Sequence, residues 1–396
     1  MKIKYTFILL LSGLLLITCK SHETKQLTWY KGNLHTHTYW SDGDEFPEMV
    51  LDWYKSKGYD FIGLSDHNTV AQEEKWVVIQ KSPLYETSFQ NYLAKFGSDW
   101  VEHKNDTGRV QVKLKTFDEY KAKMEGDGFL IIPSEEISNY VGKIPVHINA
   151  TNIQELISAP NGNTVAEAMQ QSVDAVLKQR QQTGLPMFPH INHPNFRWAI
   201  TLEDMISLKG ERFFEVYNGH FLVNNYGDSI HMSTETMWDK INIAYAKRNQ
   251  PFMFGLATDD SHNYHQYGSE FANAGRGWVM VQAESLNAGT LIEAMEAGRF
   301  YSSTGVSINL VEFENNELKI EVAAEEGVSY KIEFIGVLRN ESEAHVLNAA
   351  DGAEGSFVVT DEYLFVRAKI TSSKLQTNPF YDGDFEVAWT QPVAAK

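Results

Sequence analysis

The sequence predicts an α/β fold with a mostly parallel sheet, followed by a second region of antiparallel strands. From Trp29 to about Gly305, short apolar runs alternate with longer helical segments, which is typical of βαβ units. Histidines and carboxylates recur just after the apolar runs, where such folds build their active sites. After Gly305 the pattern changes to strict apolar–polar alternation, so residues 306–396 predict an antiparallel β-sandwich.

The individual elements follow from the same patterns. Candidate buried strands are runs of four or fewer apolar residues, at 61–64, 129–132, 187–188, 213–216 and 252–255. Candidate helices are the longer amphipathic stretches between them, at 45–57, 164–182, 201–208, 234–248 and 285–297. Candidate strands of the C-terminal region lie at 306–314, 318–322, 328–338, 356–359 and 363–370.

Residues 71–125 interrupt this rhythm with nine Lys/Arg, nine Asp/Glu and no strong strand pattern. We predict an insertion over the mouth of the site, either a lid or a solvated excursion without a role in the site.

The first 19 residues predict a lipoprotein signal peptide. Lys2 and Lys4 precede an apolar run from Tyr5 to Ile17 that is too short to span a membrane. The run ends at Cys19, the only cysteine of the chain, in a sequence that resembles a lipobox although Thr18 replaces the usual small residue. We therefore expect an exported bacterial lipoprotein that is lipidated at Cys19 and anchored to a membrane, on the periplasmic face or the cell surface. Residues 20–28 would form a polar tether.

Charge restricts the class of substrate. The 396 residues include 34 Lys/Arg and 52 Asp/Glu, for a formal charge of −18. Such a balance repels nucleic acid, so nucleic acid is an unlikely partner. A small phosphorylated substrate held at a metal site remains compatible with it.

A cluster of metal-type ligands lies between residues 33 and 68. His35 and His37 are two residues apart on an extended segment, so both rings point to one face. Asp42, Asp66 and His67 follow, and this mixture of imidazole and carboxylate suits Zn²⁺, Mn²⁺ or Fe²⁺. Further candidates follow later apolar runs: Glu135, Glu136, His147, His190, His193, Asp259, Asp260 and His262.

In this order, the motifs His35-x-His37, Ser65-Asp66-His67, Glu136, His193-Pro194 and Asp260-x-His262 resemble the PHP (polymerase and histidinol phosphatase) family of metal-dependent phosphoesterases. The resemblance extends over residues 29–305. It implies a distorted (β/α)7 barrel with up to three divalent ions, Zn, Mn or Fe, at the C-terminal ends of the strands. It also implies hydrolysis of a phosphoester by a metal-activated hydroxide.

The resemblance further implies which residues hold each ion. The first ion would be bound by His35, His37, Glu136 and Asp260, and Glu136 would bridge to a second ion bound by His147 and His193. Asp42, His67 and His262 would hold the third. Two acids are adjacent in Glu135-Glu136 and in Asp259-Asp260, and the motif spacing favours the second member of each pair as the metal ligand.

Other residues are candidates for roles around the ions. Asp66 could orient His67 or hold a proton, and His190 could be a general acid, so we predict both as catalytic. Arg276 could form a phosphate fork, and Asn195 and His220 could bind the leaving group.

Two alternatives to a small-molecule phosphoesterase remain open. PHP relatives include enzymes that act on nucleic acid, so a phosphodiesterase or exonuclease is one, although the negative charge disfavours it. A non-catalytic lipoprotein that binds glycans through its C-terminal region is the other.

Overall fold

The computed structural model describes residues 27–395. The predicted signal peptide, Cys19 and nearly all of the tether lie outside the described residues. None of the helices within 27–395 combines the length and the apolar character needed to cross a bilayer.

The chain up to residue 303 alternates strands and helices as predicted, with extra strands. In order these are β1 (Thr28–Asn33), α1 (Pro47–Ser56), β2 (Phe61–Leu64), β3 (Trp76–Val78), α2 (Pro83–Phe96), β4 (His103–Asp106), β5 (Arg109–Lys113), α3 (Phe117–Met124), β6 (Leu130–Val141), β7 (Ile144–Thr151), α4 (Val165–Thr183), β8 (Phe188–Ile191), α5 (Leu202–Ser207), β9 (Phe213–Asn218), α6 (Thr234–Lys247), β10 (Phe254–Thr258), β11 (Trp278–Ala283), α7 (Ala288–Glu296) and β12 (Phe300–Ser303). The rest is all strand: β13 (Ile308–Glu314), β14 (Glu317–Val322), β15 (Tyr330–Leu338), β16 (His345–Asp351), β17 (Glu354–Val358), β18 (Tyr363–Leu375) and β19 (Phe385–Thr390).

One large mixed sheet organises the molecule. Its strand order is β10-β9-β8-β7-β6-β2-β1-β11-β12-β19-β18-β15-β16. Within the first seven strands four pairings are parallel, while β7 runs antiparallel to both β6 and β8. From β11 onward all pairings are antiparallel. The predicted α/β class is confirmed, but the sheet is mixed where a mostly parallel one was predicted, because β7 and β11 enter it antiparallel.

The two ends of the seven-stranded part meet just beyond the strands. Thr36, after β1, forms a parallel bridge with Ser261, after β10. The His37 amide donates to the Ser261 carbonyl at 2.9 Å, and the Asp260 amide donates to the His35 carbonyl at 3.0 Å. This contact places the segments that carry the predicted ligands side by side. Because it is an isolated bridge, the closed (β/α)7 barrel stays a prediction.

The insertion at 71–125 is more ordered than predicted. It contains a three-stranded sheet (β3-β5-β4) and two helices, and it packs on α1 through a shared apolar core. The Tyr92 ring stacks on Phe46 at 4.1 Å, and Tyr92 Oη and Trp100 Nε1 both donate to the buried Glu48 carboxylate. The three strands were missed because they are short and partly exposed, so they show no apolar alternation.

The C-terminal strands form two antiparallel layers. The small sheet β13-β14-β17 packs over β15, β18 and β19 of the large sheet, and residues of both layers share one apolar core. The boundary predicted at residue 305 lies in the loop between β12 and β13, and the large sheet includes strands from both sides of it, because β19 pairs with β12. A bidentate ion pair from Arg367 on β18 to Asp239 on α6 further joins this region to the rest.

Candidate metal centre

The nine predicted metal ligands lie together, beyond the ends of β1, β2, β8 and β10 and on the β6–β7 hairpin. They form overlapping groups in which one nitrogen or oxygen atom of each residue lies within 4.8 Å of the others. The hairpin contributes because β7 returns antiparallel to β6, which places His147 opposite Ser138 and near Glu136. A second isolated bridge, between His67 and Glu136, joins the loop after β2 to the same hairpin.

The first group is the predicted set of two histidines and two carboxylates. The Nε2 atoms of His35 and His37 each lie 3.2 Å from Asp260 Oδ1. They lie 3.5 and 3.4 Å from the two oxygens of Glu136. These four side chains are at most 4% exposed, and both carboxylates thus lie within 3.5 Å of both imidazoles.

Glu136 also faces the second group. Its Oε1 lies 3.0 Å from His147 Nδ1 and 3.5 Å from His193 Nε2. A carboxylate between two pairs of histidines can bridge two cations.

The third group is more open. Asp42 Oδ1 lies 3.3 Å from His262 Nε2, and Asp42 Oδ2 lies 3.5 Å from His67 Nε2. The Asp42 side chain is 58% exposed, so this group lies at the mouth of the cluster.

Hydrogen bonds on the far side of four imidazoles hold the orientation of their rings. Ser41 donates to Asp66 at 2.6 Å, so its oxygen is left to accept from His37 Nδ1 at 3.2 Å. Ser138 similarly donates to the Glu136 carbonyl and accepts from His67 Nδ1 at 2.5 Å. The neutral His37 ring therefore carries its proton on Nδ1 and presents a bare Nε2 to the cluster, as metal-binding histidines do. His67 Nδ1 also lies 2.7 Å from Glu136 Oε2. Burial acts to lower the pKa of His67, but Glu136 and Asp42 outweigh it and raise that pKa to about 11.

Two further rings are also held by hydrogen bonds. His262 Nδ1 donates to the Asp260 carbonyl at 2.9 Å, and His35 Nδ1 donates to Glu215 Oε1 at 2.6 Å. The Nε2 atoms of His35 and His37 are fully buried and have no hydrogen-bond partner within residues 27–395. Buried nitrogens are almost always paired in native proteins, so these unpaired atoms fit a metal ion between them and the carboxylates.

Glu215 is a functional residue that the sequence analysis missed. Its fully buried carboxylate accepts four hydrogen bonds, from His35 Nδ1, the His193 amide, Asn218 Nδ2 and Thr258 Oγ1. It thereby holds His35 and the His193 loop in place. A signal was available, because a lone glutamate in the apolar run 213–216 is costly unless partnered.

The electrostatics of the cluster favour cations. Burial acts to raise the pKa of Glu136, but the facing rings of His67, His147 and His35 outweigh it and hold that pKa well below its usual range. Burial lowers the pKa of His37 to about 3, with help from the neighbouring His262 and His67, so His37 is neutral at pH 7. A neutral imidazole beside ionised carboxylates is the state that binds a metal.

The neighbouring acids in the two ambiguous pairs have structural roles. Glu135 points away from the cluster and accepts the Ile157 amide, and burial raises its pKa to about 8. Asp259 accepts three main-chain amides of residues 275–277 and the Tyr54 hydroxyl. The second member of each pair faces the ligands, as the spacing predicted.

The two residues predicted as catalytic lie behind the ligands. The Asp66 carboxylate accepts from the Thr38 amide and hydroxyl and from Ser41, so it braces the turn that carries His37 and Asp42. His190 is fully buried on β8 and lies 3.5 Å from Glu215. Neither lines the cavity at the cluster, so both act as positioning residues. For Asp66 this agrees with the predicted orienting role, although the segment it braces carries His37 and Asp42 rather than His67; for His190 it replaces the predicted general acid.

Two predicted substrate contacts are also structural. The Arg276 side chain is 1% exposed and donates to the carbonyls of Gly219, Gly268, Phe271 and Asn378. Asn195 donates to the carbonyls of Asn224 and Met232. Both side chains are buried and donate to main-chain carbonyls. We therefore withdraw Arg276 as a phosphate ligand and Asn195 as a leaving-group ligand.

The third predicted contact, His220, does line the cavity above the ligands. This cavity has a volume of about 170 Å³, and its rim adds Tyr140, Phe196, Arg197 and Leu222. His220 Nδ1 accepts the Leu222 amide at 3.1 Å, so the neutral ring carries its proton on Nε2 and can donate it. Arg197 is exposed and lies over the Phe196 ring. Among the described residues that line this cavity, it is the one with a Lys or Arg side chain.

No protein-family model and no curated protein matches the chain. Several solved structures are similar to it at low identity. One is a two-domain protein from Bacteroides vulgatus, described as containing a predicted PHP-like metal-dependent phosphoesterase. It shares 16% sequence identity with this chain at a TM-score of 0.42, and the match covers 93% of this chain and 96% of that protein's chain.

Two more distant structures are a protein from Bifidobacterium adolescentis, provisionally described as a metal-dependent phosphoesterase, and an amidohydrolase from Chromobacterium violaceum. The first shares 12% identity at a TM-score of 0.32 and covers 59% of this chain and 88% of its own. The second shares 12% identity at a TM-score of 0.31, and the match covers 68% of this chain and 96% of the amidohydrolase chain. The solved structures similar to this chain thus include one protein described as PHP-like, at low identity and low TM-score.

Proposed function

We propose that this chain is an exported, metal-dependent phosphoester hydrolase that acts on a small phosphorylated substrate and uses up to three divalent ions, Zn, Mn or Fe. The observation that carries the proposal is the convergence of nine ligands, in which the Nε2 atoms of His35 and His37 face carboxylates and have no hydrogen-bond partner among the described residues. Structural zinc sites need only four ligands around one ion, so a set of this size favours catalysis.

Each part of the cluster has a defined task in this proposal. Ions held by these residues would supply Lewis acidity and a nucleophile at neutral pH. Glu215 and Asp66 hold the ligand-bearing segments, so that the site needs little reorganisation during the reaction. His220 offers its Nε2 proton to a phosphoryl or leaving-group oxygen, and Arg197 at the rim attracts the anionic substrate.

The size and charge of the site favour a small substrate. A cavity of about 170 Å³ admits a phosphoryl group with a compact leaving group, while larger parts would extend past Tyr140 and Leu222 into solvent. One exposed arginine in the lining gives no basic track for a nucleic-acid backbone. Hydrolysis of a small phosphoester is therefore favoured over the exonuclease alternative.

The test combines metal analysis of the purified protein with a phosphate-release screen over small phosphoesters. His35→Ala removes a ligand of the first group and should lose both bound metal and activity. His345→Ala, which changes an exposed histidine on β16, is the matched control and should lose neither. Full turnover by His35→Ala, or a metal-loaded wild type that releases phosphate from none of the compounds, would refute the proposed activity.

Export and anchoring are tested separately. A lipidated Cys19 predicts that the wild type partitions with membranes and that Cys19→Ser is released in soluble form. Equal partitioning of the two proteins would contradict the anchor and leave the proposed chemistry unaffected.

A further inference from the structure

The mouth of the cavity above the metal ligands has apolar side chains that the proposed chemistry does not use. Five of the lining residues lie outside the nine-ligand set: Tyr140, Phe196, Arg197, His220 and Leu222. Tyr140 is 58% exposed and Leu222 is 47% exposed. A single exposed apolar side chain is ordinary, but several around one concave site indicate a surface that a ligand covers.

The β6–β7 hairpin directs Tyr140 toward the metal cluster. Side chains an even number of residues apart on a strand lie on one face, so Tyr140 shares a face with Glu136. Directly opposed residues of paired strands also share a face, and His147 lies opposite Ser138 on this one. The Tyr140 and His147 rings accordingly meet edge to face, with centroids 6.2 Å apart. Tyr140 therefore forms an aromatic wall beside the second group of ligands.

The loops after β8 and β9 form a further apolar wall. The Phe196 ring lies 5.1 Å from the His193 ring and 6.0 Å from the His220 ring. The backbone of Phe196 pairs with Val223, and the Leu222 amide donates to His220 Nδ1 at 3.1 Å. Contacts within the chain thus hold Phe196 and Leu222 at the rim, so a substrate can meet this wall without the cost of ordering it.

The rim offers little to recognise the hydroxyl groups of a sugar or a polyol. In the proposed chemistry His220 donates to a phosphoryl or leaving-group oxygen, and Arg197 lies over the Phe196 ring at 5.2 Å. The other three of the five residues offer one hydroxyl, that of Tyr140, and no carboxylate or amide side chain. A leaving group rich in hydroxyls would lose hydrogen bonds to water here without replacing them. An apolar ring has none to lose and would cover the exposed side chains.

We propose that the substrate of this site is a phosphoester whose leaving group has a flat, apolar ring close to the ester oxygen. The inference rests on the proposed phosphoesterase activity and names the class of leaving group for it. The phosphoryl group and the first atoms of the leaving group fill a cavity of about 170 Å³, so the ring meets the rim at Tyr140, Phe196 and Leu222. Flat rings pack favourably on aromatic side chains, in offset or edge-to-face arrangements.

The test compares phosphate release from benzyl phosphate, ethyl phosphate and D-glucose 6-phosphate by the full metal-loaded protein. All are esters of primary alcohols, so differences in rate report on recognition of the leaving group. The kcat/KM for benzyl phosphate should exceed those for the other two by about tenfold or more. Tyr140→Ala should lower the ratio of kcat/KM for benzyl phosphate over ethyl phosphate by about 3–10-fold, the range for one lost aromatic contact. Tyr140→Phe keeps the ring and should keep the ratio.

Tyr267→Ala is the matched control, because Tyr267 is 53% exposed but lies outside the cavity lining, and it should leave the ratio unchanged. If circular dichroism shows that Tyr140→Ala is unfolded, Leu222→Ala provides the same comparison from the loop wall.

The outcomes separate this inference from the proposed activity. Use of D-glucose 6-phosphate as efficient as that of benzyl phosphate, or an unchanged ratio in Tyr140→Ala, would overturn the apolar leaving group and leave the phosphoesterase activity standing. Hydrolysis of other phosphoesters but not of benzyl phosphate would do the same. Release of phosphate from no compound at all would refute the activity and this inference together.

Discussion

Glu215→Gln provides the most specific test of how the metal centre is built. The substitution keeps the size of the side chain but replaces one carboxylate oxygen with an amide group. Glu215 accepts four hydrogen bonds, and an NH2 group can accept none of those directed at it. His35 also loses the anion that holds its proton on Nδ1, so its bare Nε2 is no longer fixed toward Glu136 and Asp260.

The expected magnitude follows from these contacts. Partners that orient metal-binding histidines contribute about 10–100-fold to metal affinity or activity. For a carboxylate that holds both His35 and the His193 amide, we expect the upper part of this range. A loss of that size corresponds to about 2–3 kcal/mol of binding free energy.

The assay is competition between the protein and a chelator of known affinity, with phosphate release measured in parallel. Glu211→Gln is the matched control, because Glu211 is also a buried glutamate next to β9 but accepts only the amides of Arg212 and Phe213. Equal loss of metal affinity in the two variants would refute the reasoning, since it would show a general effect of removing a buried carboxylate. Circular dichroism of both variants shows whether the fold is retained.

Three further predictions concern the cavity, the ions and acid stability. His220→Ala should lower turnover by about 10–100-fold, because it removes one hydrogen bond to a charged group. Its metal content should be unchanged, and a parallel loss of metal would show that His220 is a metal ligand instead. Removing the ions with EDTA should lower the melting temperature of the protein, and added Mn²⁺ or Zn²⁺ should restore it. Each ion present at a hundredfold excess over its Kd stabilises the folded protein by about 3 kcal/mol. An unchanged melting temperature would argue against bound metal. Burial acts to raise the pKa of Glu235, but Arg367 and Lys369 outweigh it and lower the value to about 2 from 4.5, so the stability it contributes is complete above pH 4.5 and is lost as the pH falls toward 2. Urea unfolding of Glu235→Gln should therefore show a weaker dependence on pH in that window than the wild type, and identical slopes would contradict this.

Local pattern was sufficient for part of the buried elements, although it missed the buried strands β7 and β12. The helix predicted at 164–182 is found at Val165–Thr183, and the strand predicted at 61–64 is found at Phe61–Leu64. Each contains a continuous apolar run or stripe, so the chain's own periodicity identifies it. The strands β3, β4 and β5 lack such a pattern, and their pairing and their packing on α1 are tertiary properties.

The resemblance of the ordered motifs to the PHP family implied the nine ligands, and the structure brings these residues together. Sequence could not identify the groups behind them, because a hydrogen bond such as that from His35 to Glu215 joins residues 180 positions apart. It also could not separate Arg276 from Arg197. Both are single arginines in polar loops, and only the folded chain surrounds the first with carbonyls and leaves the second exposed at the cavity.

The sequence by itself thus determined the α/β class and the types of ligand atoms available, because these depend on residue type and spacing. The tertiary structure decided which imidazole nitrogen is bare, which acids brace the loops and which side chains reach the cavity. Those outcomes depend on contacts between segments that lie far apart in the chain, and a linear pattern contains no record of such contacts.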